Sequence, residues 1–320
     1  MVVLAAVGTK LWYSGALKAT GSSDAAIIVK EGETSEEIAA SLKQKNLIKS
    51  ERAFGWHAKL KGYGPKFKSG RYILSGKKTT AELAKTLTES QAAAHQFTIV
   101  EGLTQRQIGE RLESLEIAKS KDFSGLKVRD FAKYDYLAEL PADTSLEGFL
   151  FPETYELPPA DSDVKAVADI MLTQFGKELT DELRAQIRQS GRSLYETIII
   201  ASIVEKEVRS EQDRKLVAGV LYARMERGMR LDADATTRYG LNKLTGALTQ
   251  DDLGSDNPYN TRKVKGLPPG PISNPGISSI EAAISPDASE FLYYLSAPDG
   301  KTIFAVTLEE HEANVQKFLR

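Results

Sequence analysis

Leu194-Tyr195-Glu196-Thr197-Ile198-Ile199-Ile200-Ala201-Ser202-Ile203-Val204-Glu205-Lys206-Glu207 is the stretch on which the reading of the fold turns. From Ile198 to Val204 every helical face is apolar or small, so a helix over 194–209 must run through an interior instead of lying on a surface. It then turns charged at once. At about 100° per residue Glu205 falls between Ile198 and Ala201 on the helical wheel, and Glu207 nearly opposite, beside Ile200 and Ile203. On that count only one of the two carboxyls faces a given cleft.

Outward from this helix, apolar spacing predicts further helices at about 163 to 176, 180 to 190 and 212 to 227, with stops at Gly176, Gly191 and Gly228. The chain after Leu112 reads as helical and polar up to Leu146. Residues 146–155 carry too much Gly, Pro and aromatic side chain for a regular helix. The tail from 229 to 320 is rich in Gly, Pro and Asn, with predicted strands at Phe291 to Leu295 and Thr302 to Val306 and a terminal helix at about 308 to 319.

Towards the N-terminus the pattern changes. Ile27-Ile28-Val29-Lys30 reads as a strand, Glu31-Gly32-Glu33 as a turn, and Thr34 as the cap of a helix carrying Ile38 and Leu42. The word returns 70 residues further on, where Gly102, Thr104, Ile108 and Leu112 repeat the spacing of Gly32, Thr34, Ile38 and Leu42. Gly at the sharp turn and a hydroxyl at the cap are local structural demands, and two related strand and helix units satisfy them. Phe67 to Leu74 reads as a returning strand and Thr80 to Thr88 as an amphipathic helix. Residues 26–75 resemble LysM-like sugar-binding modules; a small α+β cap without sugar affinity fits the same residues.

Composition narrows the chemistry. Among 320 residues, 42 Lys and Arg face 44 Asp and Glu, a net charge of -2 that gives no reason to expect nucleic acid, whereas a neutral sugar polymer fits. The absence of cysteine excludes disulfides, thiolate zinc sites and cysteine nucleophiles. His57, His95 and His311 lie far apart in sequence, so no metal and no cofactor are expected. Met1 to Val7 is apolar but meets Lys10 well short of the ~20 residues that span a bilayer. It reads either as the end of a single-pass anchor, with Trp12-Tyr13 at interface depth, or as a frayed apolar terminus.

A carboxyl at the end of a buried helix is partly desolvated, which disfavours its charged form and suits a general acid. An ordinary helix-end charge, paired with Lys206 or Arg209, is the alternative. The surrounding words bear on the choice. Leu146-Glu147-Gly148-Phe149-Leu150-Phe151-Pro152-Glu153-Thr154-Tyr155, Ala201 to Glu207, Gly228-Met229-Arg230-Leu231, Pro258-Tyr259-Asn260-Thr261, Gly266 to Gly276 and Leu308-Glu309-Glu310-His311 occur in that order. Over roughly residues 95–320 the chain resembles the endolytic murein transglycosylases, known as MltG or YceG-like proteins.

That resemblance implies an enzyme held by one N-terminal helix in the bacterial cytoplasmic membrane, acting on nascent peptidoglycan strands on the outer side, with cell-wall synthases as possible partners. It implies Glu205 as the acid/base, with Glu207 as the alternative. Glu153, Tyr155, Ser202, Tyr259, Asn260 and Thr261 are the expected substrate contacts, since Tyr rings stack on sugars and Asn, Ser and Thr bond hydroxyls. Two departures stand out: Asp234-Ala235 where Asp-Pro is expected, and Thr302 where a His often precedes the last strand. The expected fold is α+β: a residual anchor and linker at 1–25, a LysM-like module at 26–90 and a larger, mostly helical catalytic domain with short strands at 95–320. A non-catalytic peptidoglycan-binding scaffold, and a hydrolase pairing Glu205 with Glu153, are the competing functions.

Overall fold

A computed structural model of the chain describes residues 12–30, 32–89, 96–156, 163–208 and 210–319. The expected anchor at Met1 to Val7 lies outside them, and among the described residues no helix is long and apolar enough to cross a membrane. The fold is α+β. Among the described residues strands pair in twos, all antiparallel: β1 (Asp24–Val29) with β2 (Gly70–Ser75), β3 (Gln96–Thr98) with β4 (Thr154–Glu156), and β5 (Tyr293–Ser296) with β6 (Thr302–Ala305).

The chain forms two compact units, and where the sequence suggests one boundary between 90 and 95 it crosses between them repeatedly. Among the described residues, the smaller unit takes those up to Thr98 together with 109–120 and 154–156. Its frame is β1, α1 (Ser35–Gln44), α2 (Glu51–Lys61), β2 and α3 (Thr80–Glu89). Ile27, Val29, Ile38, Leu42, Phe54, Tyr72, Leu83 and Leu87 meet in its core.

The repeated word is the same local structure twice. Thr34 caps α1 in a reciprocal box with Glu37, and Thr104 opens α4 (Gln105–Ser114) with Gln107 returning the bond to the Thr104 N–H. Gly32 and Gly102 take φ of 77° and 76°, left-handed values that a Cβ would strain. The copies also end alike. Asn46 and Glu116 both sit at φ 56°, and the N–H groups of Leu47 and Ile117 each reach back to Leu42 and Leu112 at 2.9 Å.

The larger unit is built around α8 (Leu194–Glu207), buried from Thr197 to Val204 as its sequence demands. Ser193 and Glu196 box its start, and Val208, in extended conformation, ends it, so Glu207 is its last helical residue. α6 (Val164–Glu178) and α7 (Asp181–Gln189) precede it. Against it pack α7, α9 (Glu211–Glu226), α10 (Asp234–Gly240) and α12 (Ile277–Ile284), with α11 (Gln250–Leu253) lying between the last two in sequence. The hairpin β5–β6 is backed by α13 (Leu308–Phe318). Two expectations fail. Residues 115–146 hold only the short α5 (Ser120–Ser124), 3-10 turns and one isolated bridge, and α10, α11 and α12 stand in a tail expected to carry two strands and a terminal helix.

Candidate active site

The Pro- and Gly-rich run that leads into α12 is bolted to α8 by side chains. Ser202 donates to the Ile199 carbonyl at 2.7 Å and accepts the Ile272 N–H at 3.0 Å, while Ser273 Oγ donates to the Ser202 carbonyl. Asn274 is the hub: its Oδ1 accepts from the Gly148 and Leu150 N–H groups, and its Nδ2 donates to the Leu103 carbonyl and to Glu147, all at 2.9 Å. Glu147 also accepts from the Gln105 N–H and the Tyr239 hydroxyl. Burial pushes its carboxyl up to about 8 against the pull of those donors. Three distant words of the sequence are thereby one buried polar network.

This frame places Glu205 at the start of α12. Its Oε2 accepts the Gly276 N–H at 3.1 Å and the Ser279 hydroxyl at 2.8 Å, and Arg214 stands 3.8 Å from Oε1. Only 8% of its side chain is exposed. Glu101, beside it, is pushed up by burial and by the Glu205 charge. Glu205 thus bridges the end of α8 and the start of α12.

Glu207 is placed differently. It is half-buried, accepts the Ala235 N–H at 3.3 Å, and borders two neighbouring cavities of about 710 and 570 Å³. The first is walled by Asp234, Arg238, Tyr239, Ile272, Ser296 and Thr302 among others. Burial raises the Glu207 carboxyl to about 7, with the Asp234 charge adding to the rise and the Ala235 N–H, Arg262 and Arg238 opposing it. Asp234 is ion-paired with Arg262 at 2.6 Å. Glu205 also reaches the wall of this cavity, so the expectation of one carboxyl per cleft does not hold. The cavity wraps the end of the helix, where the chain leaves it at Val208.

Of the expected substrate contacts, Tyr259 lines a cavity of about 590 Å³. Ser202, Asn260 and Thr261 are buried, and their hydrogen bonds serve the fold: Asn260 binds the Leu253 and Ser255 carbonyls and Thr237, and Thr261 accepts from the Ala233 N–H. Tyr155 belongs to the core of the smaller unit, its ring 5.7 Å from that of Phe97. Glu153 is exposed on the larger unit and does not line the Glu207 cavity. Asp234, Tyr239 and Thr302 were the unrecognised wall; Asp234-Ala235 and Thr302 had drawn notice only as departures from the family pattern. His311 stacks on Tyr293 at 5.4 Å and lines the second of the two cavities that Glu207 borders.

A carboxyl held near neutrality at the rim of an open, polar cavity is the equipment of an acid/base enzyme. The chain belongs to the YceG-like family, whose model matches residues 27–317. An endolytic murein transglycosylase of Bacillus subtilis (strain 168) is 32% identical over 306 residues, covering 92% of this chain and 84% of that protein. Endolytic murein transglycosylases of Streptococcus pneumoniae, strains D39 and R6, are 33% identical over 317 residues; the match covers 90% of this chain but 57% of those proteins. The crystal structure of a yceG-like protein from Listeria monocytogenes shares the fold, with a TM-score of 0.64 at 30% identity over 91% of this chain and 99% of that one.

Proposed function

We propose that this chain is an endolytic murein lytic transglycosylase that cuts the MurNAc-GlcNAc bond of peptidoglycan strands, with Glu207 as its acid and then its base. The observation that carries the choice of Glu207 over Glu205 is their contrasting surroundings. Glu205 reaches one cavity but is occupied by Gly276, Ser279 and Arg214, whereas Glu207 accepts from the Ala235 N–H, borders two cavities and has its carboxyl raised to about 7. The activity itself rests on the family and on the names its relatives carry.

In the reaction, protonated Glu207 gives its proton to the glycosidic oxygen as the bond from MurNAc C1 to that oxygen breaks. The carboxylate so formed takes the proton of the MurNAc C6 hydroxyl, whose oxygen closes on C1. Glu207 ends protonated again, the product end is 1,6-anhydroMurNAc, and no water is consumed. The membrane anchor, action on the outer side of the cytoplasmic membrane and association with cell-wall synthases belong to the same proposal and rest on the resemblance alone.

A hydrolase needs a second carboxylate about 5 to 9.5 Å from the first. Glu153 is not in the cavity, but Asp234 is, so that reading now falls to Asp234. Mass spectrometry of peptidoglycan fragments decides: the proposal predicts new ends one water lighter than reducing ends. Reducing ends would favour the hydrolase, and no cleavage the non-catalytic scaffold.

A further inference from the structure

The cavity of about 590 Å³ beyond Tyr239 has no part in the acid/base step. It is walled by Thr104, Tyr239, Asn242, Leu244, Asn257 and Tyr259 among others. Tyr239 and Leu244 also wall the cavity of Glu207, so the two spaces adjoin, with the Tyr239 side chain at the join. Its volume lies within the range of small-molecule sites.

Its aromatic wall is rigid. The Tyr239 hydroxyl donates to Glu147 at 3.0 Å, and the Tyr239 ring lies 4.9 Å from that of Tyr259 at 55°. Asn257 accepts the Tyr259 N–H at 2.9 Å and donates to the Gly240 carbonyl at 2.7 Å, and the next residue, Asn260, is tied into two carbonyls. Tyr259 is therefore fixed before any ligand arrives, which keeps the ordering cost of binding low. A fixed, half-buried ring beside amide and hydroxyl groups suits the apolar face of a pyranose with polar edges.

Resting on the reading of Glu207 as the cutting residue, we infer that this second cavity is a glycan subsite that takes an N-acetylhexosamine ring of the strand being cut, stacked on Tyr259. The strand then lies across both cavities, and the bond at Glu207 is met within a chain held on its neighbouring side.

The test uses the full chain carrying Glu207→Gln, so that nothing is cut, and a hexamer of β-1,4-linked N-acetylglucosamine as the probe. Titration calorimetry is expected to show binding weakened about tenfold by a further Tyr259→Ala and little changed by Tyr259→Phe, which keeps the stacking face. Amide resonances of Gly240, Asn242 and Tyr259 are expected to shift when the hexamer is added to the Glu207→Gln chain, a measurement that does not depend on the Tyr259 variants folding. Unchanged affinity in Tyr259→Ala, or shifts confined to the surroundings of Glu207 and Asp234, overturns the subsite. If Glu207→Gln by itself leaves peptidoglycan cleavage at the wild-type rate, the reading of the cutting residue fails instead, and the two failures are distinct.

Discussion

Glu205 and Glu207 stand two positions apart on one helix in different surroundings, and the proposed division of work between them rests on that difference. Glu205 meets a helix start, a hydroxyl and a guanidinium; Glu207 meets one backbone donor and borders two cavities, with Asp234, Arg238 and Arg262 nearby. That donor is Ala235, at the position where the family pattern leads one to expect a proline, and a proline has no N–H to give. Ala235→Pro removes the bond while suiting the first turn of α10. Since the bond favours the charged carboxyl, its loss moves the Glu207 pKa above about 7. The acid form then persists to higher pH, and the alkaline fall of kcat/KM is expected to move up by roughly half a pH unit. An alkaline limb at the wild-type pH would show that Glu207 is not the acid. The sequence placed both carboxyls at the end of a buried helix, but it could not weigh them, because Ala235, Ser279 and Gly276 are 28, 74 and 71 positions from their partners.

At the scale of elements, α8 was legible because an all-apolar run admits only a buried helix, and the capped repeats were legible because caps are local. α12 was not. Its eight residues follow a Pro- and Gly-rich run that masks the short period of Ile277, Ile280 and Ile284, and its place is set by packing against α8 and α9. The words around Ser202, Asn260 and Thr261 looked like sugar contacts because hydroxyls and amides bind sugars. In the fold the same groups satisfy buried backbone, as buried polar groups must. α9 meets the chain beyond α12 closely: a Cβ at Gly219 would stand 2.2 Å from the Asp287 carbonyl oxygen, and backbone cannot step aside as a side chain can. Gly219→Ala is therefore expected to cost about 1 to 3 kcal/mol and lower Tm by several degrees in a thermal melt. An unchanged Tm would mean that α9 and this segment do not pack as closely as described.

For the whole molecule, an α+β chain with a small strand and helix unit and a larger helical one was readable from periodicity, and the family from six ordered words. The sharing of chain between the two units was not, since contacts between residues such as Phe97 and Tyr155 leave no local trace. On the proposed reading one carboxyl, Glu207, cuts the glycan strand while Glu205 holds the scaffold that presents it. Release of anhydro-ended fragments from peptidoglycan by the wild type, Glu207→Gln and Glu205→Gln, each shown to be folded, tests it directly. Glu207→Gln is expected to lose at least about a hundredfold of product, and Glu205→Gln to keep clear residual cleavage. Wild-type cleavage by Glu207→Gln, or abolition of cleavage by Glu205→Gln alone, would contradict it.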